Sequence, residues 1–444
     1  MEHIFVRGRG RRLPLPDELP YRFFPPRVSP LWHRVSRLYI RRVLNRKLAI
    51  RSIEFDGVER LSARIGRGDG VLIAPNHCDH ADCVVAFELS RKVSKPFCYM
   101  AAYQIFFDFF GFRKFILPRL GVFPVDREGS DRLAYKAGLD ILVEGKNPLV
   151  IFPEGEIYHL ADRLTPLREG ASALAISAAK KKSADGTTVW VVPAAIKYRY
   201  VDDHDPLPAL IELMSDLEGF FTWTDQSNKP LLDRMYRYAE MMLSLKEYEY
   251  LDGVRSGPLK DRIADLTSRL LSEIEDRRLG KRSLESTPVR VKELRRACLK
   301  AIDDPATTID QKRELRRDFD ALFLCIQMFS YPGDYVRESP TVERLGEILS
   351  KFEMDILGVE MSAPRGPRRA IMKLGEPIDV RGYLGSTEAR PRSRDATARL
   401  TTELEARIQG LLDEIGPGRP LPRQAIENGS PIPGAMGGAV SVSV

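Results

Sequence analysis

The sequence predicts an α/β protein: a mostly parallel sheet flanked by helices, with a largely helical insertion. Three observations predict it. Short apolar runs alternate with amphipathic stretches between residues 50 and 200, the rhythm of β–α–β units joined by right-handed crossovers. Three of those runs, ending near Pro75, Val125 and Phe152, pass straight into polar and ionisable side chains, as strands do at the ligand-binding mouth of an open sheet. From about 201 to 365 the rhythm stops and long charged periodic runs replace it, the pattern of helices.

In chain order, residues 1–30 are rich in Arg and Pro and read as a flexible basic arm. Residues 31–50, LWHRVSRLYIRRVLNRKLAI, lack Gly and Pro and predict a basic helix, suited to a membrane interface or to packing on the domain. Strands are predicted at 52–59, 70–74, 97–100, 121–125, 148–152 and 188–198. Helices are predicted at 80–93, 102–120 (rich in aromatics), 130–144 and 170–182. The insertion carries helical runs at 229–250, 259–280, 289–302, 309–329 and 341–357, with no internal repeat visible. Such an insertion between strands is tolerable, since each doubling of loop length costs only about 0.6 kcal/mol. A strand returns at 368–380 and an amphipathic helix follows at 393–415. The plan is therefore an arm (1–30), a main domain (31–200, motif core about 71–199), a helical insertion (201–365), a returning strand and helix (366–415) and a disordered tail (416–444).

Composition narrows the class. At 444 residues the chain exceeds one typical core, and 43% hydrophobic with 30% charged residues excludes both a polytopic and a disordered protein. The net charge of +7 is unevenly placed: from Tyr21 to Ser52 there is no Asp or Glu, while nine Arg and Lys fall there. Such a block suits phosphate, in nucleic acid or in anionic lipid. The five cysteines form no CxxC, which argues for reduced thiols and against a disulfide frame or a zinc site. There is no apolar signal-peptide region and no run near the roughly 20 apolar residues of a spanning helix. Membrane association is accordingly expected to be peripheral or monotopic, on the cytoplasmic face.

The richest stretch is VLIAPNHCDHAD at 71–82. Val71–Ile73 read as a buried strand, Pro75 cannot donate to a ladder, and Asn76-His77 follow at the strand mouth. Of six histidines only His77 has Asp at the fifth following position, Asp82. On one helix the two would lie about 140° apart, so they meet only if His77 sits in the turn and Asp82 in the first helical turn. Histidine suits proton transfer near neutral pH, and an Asp on its far nitrogen fixes tautomer and orientation. The bland alternative is a helix-capping His with a solvated Asp. Arg127, ending GVFPVDR, offers a guanidinium fork for phosphate or an ordinary surface pair with Asp126. After the strand at 148–152, Glu154 is suited to accept from substrate hydroxyls or to hold its loop, and Gly155 permits positive φ. Arg168 precedes an Ala-rich helix. A fourth run, Val191-Val192-Pro193, has no catalytic content of its own.

Taken in order, these blocks resemble the glycerolipid acyltransferase family. Its NHxSxxD block is similar to Asn76–Asp82, its G-x-[IF]-x-x-x-R block to Gly121–Arg127 with Phe123 in place, its FPEG block to Phe152-Pro153-Glu154-Gly155, and its proline-bearing block to Val192-Pro193. Two departures stand out: Asp79 where the family commonly has Ser, and Glu156-Ile157-Tyr158 in place of a basic run. The resemblance implies an O-acyltransferase with His77 and Asp82 as catalytic residues. It further implies acceptor binding by Arg127, Phe152, Pro153, Glu154, Gly155, Phe123 and Arg168. The implied co-substrate is acyl-CoA or acyl-carrier protein, the acceptor a lysophospholipid or glycerol phosphate, and the partner a phospholipid membrane rather than nucleic acid. No metal or organic cofactor is implied. A serine hydrolase is disfavoured because no GxSxG occurs. The rivals are a phospholipid transacylase using the same His–Asp pair and a non-catalytic lipid-binding module.

Overall fold

The computed structural model describes residues 21–107, 111–127, 131–182, 186–384 and 393–427. Helix α1 (Pro30–Arg42) opens with proline at its first position, where no intrahelical N–H is needed, and runs into a π-helical turn at Val43–Lys47. Strand and helix then alternate: β1 (Ile50–Asp56), α2 (Val58–Ser62), β2 (Gly70–Pro75), α3 (Asp82–Lys92), β3 (Cys98–Ala102), α4 (Phe112–Arg119) and β4 (Val122–Val125). They continue as α5 (Arg132–Glu144), β5 (Leu149–Val150), α6 (Gly170–Lys182) and β6 (Val189–Tyr200). Seven helices come next: α7 (Leu207–Phe220), α8 (Leu231–Leu251), α9 (Leu259–Arg278), α10 (Thr287–Ile302), α11 (Ile309–Phe329), α12 (Tyr335–Glu338) and α13 (Val342–Ile356). The chain ends its described course with β7 (Arg368–Leu374), β8 (Ile378–Asp379), α14 (Ser393–Ile415) and α15 (Arg423–Ile426).

The strands form one eight-stranded sheet in the order β1-β7-β6-β2-β5-β3-β4, with β8 antiparallel on β6. The pairs β1–β7, β6–β2, β2–β5, β5–β3 and β3–β4 are all parallel. This is the mostly parallel, helix-flanked sheet expected. Its central strands are buried on both faces, so their apolar runs divide by the strand period of two. Leu72, Ala74, Val189, Val191 and Ala195 join the core under α5, α6 and α14. Val71, Ile73, Val192, Ala194, Ile196 and Tyr198 join the opposite core with α1, α2 and α3.

The chain forms two units. One runs up to Arg199 and resumes over Arg368–Pro417, and it carries the sheet; the other takes Tyr200–Pro367 with the segment from Gly418. Three expectations change. The stretch 102–120 is not one helix: a 3₁₀ turn (Tyr103–Phe106) precedes α4, which starts after Gly111 at φ +66°, while 108–110 lie outside the described residues. Residues 21–29 are not a free arm. Phe23 packs edge-on against Phe123, Phe24 stacks on Phe106, and the Arg27 and Ser29 amides donate to Pro118 and Arg119 carbonyls. The rest of that arm, 1–20, lies outside the described residues, as does 428–444 of the tail. Residues 416–427 are ordered: the Gly416 carbonyl accepts from Lys197, while Leu421 donates to Pro340 and Val342 to Arg419.

The helical unit also holds a repeat that the sequence alone does not reveal. Helices α8, α9 and α10 begin 28 residues apart. At each junction an arginine near the start of one helix grips a glutamate near the end of the previous one through two guanidinium nitrogens. The pairs are Arg234–Glu218 at 2.7 and 3.1 Å, Arg262–Glu247 at 2.7 and 2.9 Å, and Arg290–Glu275 at 2.8 and 2.8 Å. A serine three residues before each glutamate (Ser215, Ser244, Ser272) accepts from the same arginine. The repeat rests on three positions per unit, too few to stand out among variable helix faces.

Candidate active site

Strand β2 ends at Pro75, and the turn beyond it is held from both neighbouring strands. The Asn76 amide extends the ladder past the proline: Oδ1 accepts the Ile196 N–H at 2.6 Å and Nδ2 donates to the Ile196 carbonyl at 3.1 Å. From the β5 side, Glu154 Oε1 accepts the His77 N–H at 2.6 Å. The backbone at His77 is therefore fixed on two sides before its side chain makes any contact.

His77 Nδ1 lies 2.9 Å from Asp82 Oδ2, in the turn-to-helix arrangement that a five-residue spacing requires. Asp82 is fully buried at the first residue of α3. Its Oδ2 also accepts the Cys78 and Asp79 amides at 2.7 and 2.9 Å, and its Oδ1 accepts the Tyr198 hydroxyl at 2.6 Å. Burial, and after it the Asp82 charge, pushes the Tyr198 phenol well above its usual range, so it keeps its proton and donates. With Asp82 an acceptor on every side, Nδ1–H donates to it and Nε2 is the nitrogen left to take a proton. The His77 ring stacks on Phe152 at 4.2 Å and is 15% exposed, so a bound hydroxyl can approach it.

Asp79, where the resemblance expects Ser, pairs with Arg368 at the start of β7 at 2.8 Å and accepts the Ala81 N–H at 2.8 Å. Burial alone would raise its carboxyl; the Arg368 charge and these hydrogen bonds outweigh burial and hold it below the usual carboxylate range. The Arg368 guanidinium also lies 4.9 Å from the Tyr198 ring centroid. The departure from the motif thus has a partner, an arginine almost three hundred residues away in sequence.

The other predicted residues separate into two groups. Arg127 and Arg168 converge on the turn after β5. Arg127 Nη1 donates to the Gly155 carbonyl at 2.6 Å and lies 3.2 Å from Glu156 Oε2. The Arg168 side chain crosses Gly155, where a Cβ would stand 2.5 Å from its Nε, and the Arg168 amide donates to Pro153. Gly155 sits at φ +75°, so its lack of a side chain serves both the turn and the arginine. Phe123 and Glu154, by contrast, face inward. Phe123 is fully buried in β4 as part of the core. Glu154 is 4% exposed, and its oxygens are taken by His77 N–H and by the amide and hydroxyl of Thr165. Glu154 therefore holds its loop to the His77 turn instead of facing substrate. Asn76, Tyr198, Thr165 and Arg368 were not among the expected site residues. Period two along β6 puts Tyr198 on the face of Ala194 and Ile196, which does not set it apart from the core residues beside it.

Burial outweighs the hydrogen bonds to Glu154 and pushes its carboxyl up to about 7 from an ordinary 4.5. The neutral form is favoured in the folded state, so the unfolded chain loses this proton first as pH rises. The contribution to stability is complete below about pH 4.5 and lost by about pH 7, on the order of 3 kcal/mol in all. Glu154→Gln, which stays neutral, is expected to flatten that part of the pH profile in urea unfolding measured from pH 4.5 to 7.5. An identical slope in the variant would mean Glu154 is ionised throughout.

Residues 52–197, from β1 into β6, match the family model described as Acyltransferase. This stretch, which contains His77, Asp82, Arg127 and the turn at Gly155, is an acyltransferase-family domain, and the class of reaction it supports is acyl transfer. Comparison with curated proteins finds none that matches the chain.

Proposed function

We propose that the chain is an O-acyltransferase of the 1-acylglycerol-3-phosphate acyltransferase type. It moves a fatty acyl group from acyl-CoA or acyl-carrier protein to the hydroxyl of a lysophospholipid or glycerol phosphate. The observation that carries this reading is the His77–Asp82 pair at the mouth of β2. His77 Nε2 takes the proton of the acceptor hydroxyl as its oxygen attacks the thioester carbonyl. The tetrahedral intermediate then collapses, its C–S bond breaks, and the departing thiolate takes the proton back from the imidazolium. Asp82 stabilises that imidazolium. A positioned base supplies about 10²–10⁴-fold, and juxtaposing the two substrates supplies much of the rest. The Arg127 and Arg168 guanidinium groups at Gly155 suit the acceptor phosphate. This chemistry calls for no metal or organic cofactor.

The proposed partner is an anionic phospholipid surface, bound peripherally on the cytoplasmic face; no helix among the described residues is long and apolar enough to cross a membrane. Helix α1 turns His33, Ser36 and Ile40 inward and leaves Leu31, Val35, Leu38 and Tyr39 exposed among Arg34, Arg37 and Arg41. Phe115 of α4, also exposed, meets Trp32 edge-on at 5.5 Å and widens this apolar patch. Each basic residue near such a surface adds about 1 kcal/mol.

The test is acyl transfer in membranes bearing the protein, with labelled acyl-CoA or acyl-carrier protein and a panel of lysolipids. His77→Ala is expected to abolish detectable transfer; equal transfer by variant and wild type would sink the mechanism. Arg127→Ala is expected to raise KM for phosphate-bearing acceptors about tenfold or more, the loss of one charge-assisted pair of roughly 1.5–3 kcal/mol. An unchanged KM would remove Arg127 from the acceptor site. Transfer from phospholipid without any thioester would favour a transacylase.

A further inference from the structure

The helical unit contains an apolar cleft walled by α8, α9, α11, α12 and α13, about 730 Å³ of empty space including its open mouth. Its walls carry three methionines, Met235, Met242 and Met328, together with Ile263, Leu324 and Phe352. Among the described residues no Asp or Glu lines it, and Lys246 is the one cation. His77 belongs to the other unit.

We propose that this cleft binds a single fatty-acyl chain whose carboxylate is received by Lys246. A polar ligand would lose its hydration against such walls without hydrogen bonds in return. An alkyl chain loses none, and unbranched, polarizable methionine side chains adapt to its shape. The charge pattern selects an acid over a neutral lipid. Lys246 is buried, with its Nζ 2.6 Å from Glu249 and 5.9 Å from the Tyr250 ring centroid. Its ion-pair partner Glu249 is half exposed, and the three N–H donors of an ammonium allow Lys246 to serve Glu249 and an arriving carboxylate together. Gln327 also lines the cleft, and a side-chain amide of that kind can donate to the second oxygen. The cleft lies in a unit with its own core, so this site is distinct from the His77 centre and does not depend on the acyl-transfer reading.

The experiment titrates palmitate into the full chain, following heat and the ¹³C-methyl signals of selectively labelled methionines. Binding is expected to shift the Met235, Met242 and Met328 methyls. Ala239→Phe, which fills the cleft from α8, and Lys246→Ala are each expected to weaken palmitate about tenfold or more. Lys246→Arg should restore binding, and His77→Ala should leave it unchanged. Hexadecanol, lacking the carboxylate, should bind wild type and Lys246→Ala alike. Unmoved methionine methyls would overturn the proposal, as would unchanged affinity in a folded Ala239→Phe variant. Should that variant fail to fold, the methyl shifts of the wild type decide. Absence of acyl transfer by the wild-type protein, with its palmitate binding intact, would overturn the O-acyltransferase reaction and leave this site standing.

Discussion

Asp82→Asn is expected to lower kcat for acyl transfer by about 10²–10⁴-fold, with a clear loss of stability beside it. Asparagine presents one acceptor and one donor where the structure needs acceptors only. Oδ2 receives His77, Cys78 and Asp79 together, and Oδ1 receives Tyr198. If the amide oxygen replaces Oδ2, its NH₂ faces the Tyr198 hydroxyl; if it replaces Oδ1, the NH₂ faces His77 and two backbone N–H groups. The second arrangement reverses the His77 tautomer. Each buried donor left without an acceptor costs about 1–3 kcal/mol, so the first arrangement prevails and catalysis suffers mainly through lost stabilisation of the imidazolium. Tyr198→Phe removes a single donor and is expected to cost less in both readouts. The measurements are kcat at saturating acceptor and urea unfolding on the same preparations. Wild-type kcat in Asp82→Asn would reduce Asp82 to a brace for the turn.

Features of the fold and site were legible in the sequence where the interactions behind them are local. His77 and Asp82 are five residues apart, and each strand mouth announces itself by an apolar run ending at a polar cluster. Helix α6 and helix α14 lie within the bounds read from the sequence: α14 buries an apolar stripe from Ala396 to Leu412, and the Ala-rich α6 is buried on most of its faces. The supports of the site are long-range and were not legible. Asn76 meets Ile196 across 120 residues and Tyr198 meets Asp82 across 116. In a single sequence, a tyrosine in a buried strand looks like any other core residue. Glu154 shows a different limit. A glutamate after a strand reads equally as substrate-facing or as holding its loop until its burial and its three protein donors are seen. In the helical unit, charge periodicity revealed the helices but concealed that some charges are buried, because Arg234, Arg262 and Arg290 look no different in sequence from their solvated neighbours.

Those buried clamps carry the second large effect. Arg262→Ala is expected to destabilise the protein by about 3–5 kcal/mol, since it strands Glu247, whose side chain is wholly inaccessible, without its bidentate partner. The Arg255 amide, at 3.0 Å, would be its one remaining donor among those described. The effect should depend on pH in a defined direction. Burial tends to raise the Glu247 carboxyl, but the Arg262 fork and the Arg255 amide outweigh it and hold the carboxyl below its usual value. The clamp's stabilisation is therefore full above the ordinary glutamate range and is lost as pH falls through the depressed folded value. Without Arg262 the stranded carboxyl can take up a proton, so the difference between variant and wild type should be largest near pH 7 and shrink toward pH 4. Replacing both partners, as Arg262→Met with Glu247→Leu, is expected to recover most of the loss, because an apolar pair carries no desolvation penalty. Urea unfolding of the two single variants and the double variant at both pH values measures the coupling directly. If the double variant proves as unstable as Arg262→Ala alone, the clamp acts through packing rather than charge. If it recovers stability yet broadens the transition, the repeated arginine–glutamate pairs fix the register of successive helices, a role that apolar substitutes of equal volume cannot fill.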